Sequence, residues 1–125
     1  IGVVKYRQGY NAEAESFFKN SIKINEYHED SYLNLAILYK DKKEYTKAIS
    51  LLSEGIEKNP DVAYLYYNLA CCQVHIQEYN KAIQNLVIAC EMNSFFYEYT
   101  LEDPELNELH KLEDFKNYFR VKPVS

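Results

Sequence analysis

The chain has 125 residues, about one domain's length and enough for a modest core. Its 47% hydrophobic and 26% charged residues are the balance of a folded soluble protein, and its net charge of −5 lacks the basic face that nucleic acid or an anionic membrane requires. No apolar run reaches the roughly 18 residues of a spanning helix, no signal-peptide pattern is present, and three cysteines, two of them adjacent, make no disulfide framework and fit a reducing, cytoplasmic setting.

Ile1 to Gln8 has the pattern of a helix tail, and with no initiating methionine it is expected of a piece or processed form of a longer protein. Gly9 is the expected stop, because glycine enters the left-handed region without steric penalty. Asn11 then opens a second helix through Ile24, with Ala14, Phe17, Phe18, Ser21 and Ile22 on one face. A helix is expected near Glu29 to Asp41, where Tyr32, Leu35, Ala36 and Tyr39 follow i, i+3, i+4, i+7 spacing. Its partner, near Tyr45 to Lys58, carries Ala48, Ile49, Leu52, Gly55 and Ile56 in the same way. From Ala63 to Asn93 the scheme recurs, first with Tyr66, Leu69, Ala70 and Gln73, then with Ala82, Ile83, Leu86, Ala89 and Cys90. A polar turn near Ile76 to Tyr79 joins those two helices.

The recurrence has a fixed interval of 34 residues. Leu69-Ala70 falls on Leu35-Ala36, and Glu78-Tyr79-Asn80-Lys81-Ala82-Ile83 falls on Glu44-Tyr45-Thr46-Lys47-Ala48-Ile49. Such a period marks stacked helical units, each hiding its apolar face against the next. Gly2, Ala36 and Ala70 form one small-residue column, Ala14, Ala48 and Ala82 a second, and Ser21, Gly55 and Ala89 a third. Small side chains let helix axes approach closely, while the large column of Phe18, Leu52 and Leu86 fills the space between. Asn25, Asn59 and Asn93 each follow an apolar helix and are expected to cap it in the left-handed conformation. After Ser94, Asp103-Pro104 supplies a cap followed by proline, a helix start, and Leu106, Leu109, Leu112, Phe115 and Phe119 form an apolar stripe.

With Leu-Ala, Tyr-x-x-Ala-Ile and Asn-Pro in place, the pattern resembles the tetratricopeptide repeat. The resemblance implies an all-α, right-handed solenoid of antiparallel helix pairs: a partial unit over 1–28, full units over 29–62 and 63–93, and degenerate closing helices over 94–120 before a tail at 121–125. The run LEDPELNELHKLEDFKNYF is similar to the closing unit of some bacterial members, a lid over the last exposed apolar face.

Groups for chemistry are sparse. Cys71 and His75 share a helix face and could begin a metal or thiol–imidazole site, but the sequence shows neither further ligands nor an orienting acid. Cys72 and Cys90 are expected to pack as small hydrophobes, and His28 and His110 lack partner spacing. There is no phosphate-cradling glycine loop, so no catalytic residue, metal or cofactor is assigned.

A surface remains. Tyr64, Tyr67, Asn68, Cys71 and His75 share a second helix face, as do Leu33, Asn34, Ile37 and Lys40 with Asp30 and Asp41, and Val3, Tyr6 and Arg7 in the first unit. By the resemblance this face lines a concave groove for partner peptides, with exposed Tyr64, Tyr67, Leu33 and Ile37 as anchors; the competing expectation is that these residues pack against the closing helices. Tyr64 and Asn68 stand where basic grips would clamp a chain-terminal carboxylate, so that mode is not expected. The expected function is a non-enzymatic protein-interaction scaffold whose partner carries apolar anchors and, given the acidic chain, basic residues. The alternative is the end of a longer solenoid or a self-associating, homo-oligomeric assembly module.

Overall fold

In the computed structural model, residues 2–119 are described, with side chains from Ala12 onward. The side chains of Gly2, Val3, Tyr6, Arg7 and Tyr10, and the tail from Arg120 to Ser125, lie outside that range. The described residues form helices α1 (Gly2–Ile24), α2 (Glu29–Asp41), α3 (Tyr45–Lys58), α4 (Ala63–His75), α5 (Tyr79–Met92), α6 (Phe95–Glu102), α7 (Asn107–His110) and α8 (Glu113–Phe119). A 3-10 turn, Pro104–Leu106, precedes α7. No strand occurs among them. No helix among them is long and apolar enough to cross a membrane.

The chain divides after Pro60 into two compact units. In the first, α1 packs on α2 and α2 on α3. Tyr32, Leu35, Ala36, Ala48 and Leu52 are buried, the positions their helical spacing assigns to the core. Glu15 of α1 ties that helix to the next, accepting hydrogen bonds from the Tyr39 hydroxyl at 3.0 Å and from Lys42 Nζ at 3.3 Å. In the second unit α4 pairs with α5, and Ala70, Ala82, Leu86 and Ala89 form its core together with Leu106, Leu109, Phe115 and Phe119 from the C-terminal segment. The expected lid is therefore part of this core. A fully buried leucine there contributes about 1.5–3 kcal/mol.

Two local expectations are corrected. Gly9 does not end a helix, and Asn11 does not start one: α1 runs unbroken from Gly2 to Ile24, with no left-handed glycine among the described residues. One glycine inside a helix costs only about 1 kcal/mol, which neighbouring turns and packing on α2 can offset.

The asparagines are not left-handed caps either. Asn59 sits at φ −136° and Asn93 at φ −149°. Among the described residues the left-handed ones are Lys43 (φ 62°) and Gln77 (φ 64°), again 34 apart, in the three-residue turns inside each pair. There Glu44 N–H donates to Tyr39 O and Glu78 N–H to Gln73 O, the closing bond of a Schellman stop. Asparagine instead shapes the chain beyond the helix: Asn25 Oδ1 accepts from Tyr27 N–H, and Asn93 Oδ1 from Phe95 N–H, both at 3.0 Å.

Candidate functional site

The α2 face of the first unit is open. With Tyr32, Leu35, Ala36 and Tyr39 turned into the core, the 100° step of the helix leaves Leu33, Asn34, Ile37 and Lys40 on another side. Leu33 and Lys40 are half-buried, Asn34 is exposed, and Ile37 is 37% exposed. A separate cleft of about 760 Å³ in this unit is lined by Lys19, Lys23, Glu26 and Glu54 together with Ile22 and Ile24, and not by the α2 face.

The matching face of α4 is covered. The C-terminal segment bends back at Asp103, whose Oδ1 accepts the Glu105 N–H at 2.9 Å and so caps the 3-10 turn that Pro104 begins. The Tyr67 hydroxyl donates to Asp103 Oδ2 at 2.6 Å. Its ring stands 5.2 Å from that of Phe96 and 5.8 Å from that of Tyr99, both on α6. Burial, then the bond to Asp103, pushes the Tyr67 hydroxyl far above its ordinary pKa. About two helical turns on, His75 Nε2 lies 2.8 Å from Glu105 Oε2. Tyr67 is thus 7% exposed and Cys71 1%, so the expected exposure of Tyr67 is corrected: the segment removes from water what helix periodicity alone leaves outside. Tyr64 and Asn68 are half-buried, and Asn68 Nδ2 donates to Tyr64 O at 2.8 Å.

The acids that sequence spacing did not bring to Cys71 and His75 are Asp103 and Glu105, some thirty residues away in the chain. Ligand atoms of Cys71, Asp103 and Glu105 lie within 4.8 Å of one another. Three donors fall short of the four that close a tetrahedral zinc site, and both Asp103 oxygens already accept hydrogen bonds. Cys72 is buried, as expected, while Cys90 is half-buried with its sulfur 3.8 Å from Thr100 Oγ1. Burial pushes the Cys90 thiol above its ordinary pKa, against that hydrogen bond. His28, at the start of α2, pairs with Ser31 Oγ at 2.7 Å in the first turn of that helix, and His110 pairs with the Thr100 carbonyl at 3.1 Å, ten residues back in the chain.

A tetratricopeptide repeat family matches residues 6–66, and a second tetratricopeptide repeat family matches residues 51–84. The chain belongs to the tetratricopeptide repeat family. Solved structures share its fold. The type III secretion translocator chaperone SycD of Yersinia enterocolitica, crystallised in complex with a peptide of the translocator YopD, is 19% identical with a TM-score of 0.66; the match covers 94% of this chain and 83% of that one. MamA is 22% identical with a TM-score of 0.70, over 96% of this chain and 67% of that one. The all-helical, paired architecture of this tetratricopeptide repeat protein is thereby the one its sequence period implies.

Proposed function

We propose that this tetratricopeptide repeat protein is a non-enzymatic interaction module that takes a peptide or protein segment of a partner on the first helices of its pairs. The observation that carries the reading is the α2 face: Ile37 stays 37% exposed beside Leu33, Asn34 and Lys40, on a helix whose opposite side is consumed by packing. Apolar anchors beside amide and charged groups suit a preformed recognition surface, where little ordering cost offsets the binding energy. On α4 the corresponding face, Tyr64, Tyr67, Asn68, Cys71 and His75, is covered by the chain's own C-terminal segment. SycD, of the same fold, has been crystallised with a peptide of its translocator, which supports a segment of another protein as the ligand class. Three cysteines without a disulfide suit a reducing, cytoplasmic compartment.

The test is capture of the native partner by affinity purification from source cells, compared between wild type and an Ile37→Asp, Leu33→Ala variant. Both side chains lie off the core, so the helical circular dichroism should be retained. Capture should fall at least tenfold. Undiminished capture with an intact fold would remove α2 from the binding surface.

A further inference from the structure

The C-terminal segment does more than cover apolar surface: it sits on α4 through polar groups at set intervals. Asp103 receives the Tyr67 hydroxyl, Glu105 meets His75, and Leu106 is fully buried in the same core as Tyr67 and Cys71. Pro104 between them is exposed. Acid, acid and leucine are thus presented at i, i+2 and i+3 by one 3-10 turn, which the Asp103 side chain itself caps. At the matching α2 positions, 34 residues earlier, Leu33 and Ile37 stand where α4 has Tyr67 and Cys71, and Ile37 remains exposed. The α4 face therefore differs from its counterpart in two ways, by its carboxylate-seeking groups and by having an occupant.

We propose that the α4 face is a receptor for an acidic turn closed by leucine, of the form Asp-x-Glu-Leu, and that residues 103–106 are its resident in cis, exchangeable for a partner segment of the same chemistry. This deepens, and rests on, the interaction-module reading. Tyr67 supplies a neutral hydroxyl donor to the first acid, 2.6 Å from Asp103 Oδ2. His75 meets the second acid at the rim, where both side chains stay partly in water. Hydrogen bonds to charged acceptors are among the stronger ones, and the leucine seat adds apolar burial. The chain's own copy is flanked by short helices of eight, four and seven residues, which have little stability apart from the core that Leu109, Phe115 and Phe119 enter. An incoming segment competes at the high local concentration of the tethered one, so affinity for wild type is scaled down to the fraction of time the face stands empty.

The experiment uses the full chain and a fluorescein-labelled peptide of sequence EDPELNEL, copied from residues 102–109. Fluorescence anisotropy compares wild type with a variant whose resident turn lacks its acids, Asp103→Ala with Glu105→Ala. The variant should bind the peptide at least tenfold more tightly than wild type. A peptide with amides in place of both acids should lose most of that binding, and adding Tyr67→Phe to the variant should weaken it several-fold. Equal binding by variant and wild type, equal binding of the amide peptide, or no binding by a variant with intact helical circular dichroism would each overturn the proposal. Should the variant unfold, amide hydrogen exchange on wild type decides: the Leu106 amide should exchange much faster than that of Leu86, and equal protection would show that the turn leaves only when the unit unfolds. Failure of this exchange with Ile37→Asp still abolishing partner capture removes the α4 receptor alone. Peptide exchange with capture unaffected by Ile37→Asp removes the α2 surface alone.

Discussion

Gly55 on α3 lies so close to Tyr32 on α2 that a Cβ built on it would stand 2.9 Å from both Cβ and Cγ of the tyrosine. Tyr32 is in turn fully buried, with its hydroxyl donating to Glu26 O at 2.8 Å. Where the second unit has Ala89, the matching tyrosine, Tyr66, is only half-buried. Gly55→Ala should therefore destabilise the first unit. The clash falls on atoms next to the backbone, and relieving it outweighs alanine's better helix propensity, for a net loss of about 1–2 kcal/mol. Urea unfolding measures it; a stability gain would mean the α2–α3 crossing is looser than described.

Ala82 is fully buried on α5, in the small-residue column that it shares with Ala48. Ala82→Leu should overpack the crossing with α4 and lower stability by roughly 1–3 kcal/mol. Unchanged thermal stability would place Ala82 outside the interface.

Glu15 gives a pH dependence with a definite sign. Burial raises its pKa, but hydrogen bonds from Lys19, Tyr39 and Lys42 outweigh that and leave it below the ordinary carboxylate value. A carboxylate with a lowered folded pKa stabilises the fold above its unfolded pKa, and that contribution is lost as pH falls through the folded value. Glu15→Gln should thus cost about 1 kcal/mol at neutral pH, and the gap to wild type should close below about pH 4. Thermal melts from pH 3 to 8 follow it; a gap that persists in acid would mean the loss is one of packing.

Tyr67 acts at the other end of the scale. A tyrosine whose folded pKa is raised stabilises the fold fully below its unfolded pKa, near 10, and that stability is lost as pH rises beyond it. Tyr67→Phe should remove part of the alkaline loss of stability seen in wild type above about pH 10. An identical alkaline slope in both proteins would mean that the hydroxyl is not held in its buried bond.

How far the sequence determined these features depends on the range of the interaction involved. The bounds of α2 to α5 follow from local periodicity and from the repeat, which supplies each position with a second instance. The left-handed turn residues were missed because Lys43 and Gln77 have no side-chain preference for that region; the closing backbone bonds impose it. Gly9 misled because its cost is small beside the packing of a long helix. At the candidate site, periodicity put Tyr67, Cys71 and His75 on one face, yet could not say what would lie over it. That depends on Asp103 and Glu105 returning across about thirty residues, and the one sequence signal, Asp-Pro, marks a turn without marking its destination.

The most direct test of the central claim, that α4 receives a carboxylate-bearing turn, is a double-mutant cycle on the folding stability of Tyr67→Phe and Asp103→Ala. The hydroxyl–carboxylate bond predicts a coupling of about 1–2 kcal/mol, so that the double variant loses distinctly less than the sum of the singles. Additivity to within about 0.3–0.5 kcal/mol would contradict the account.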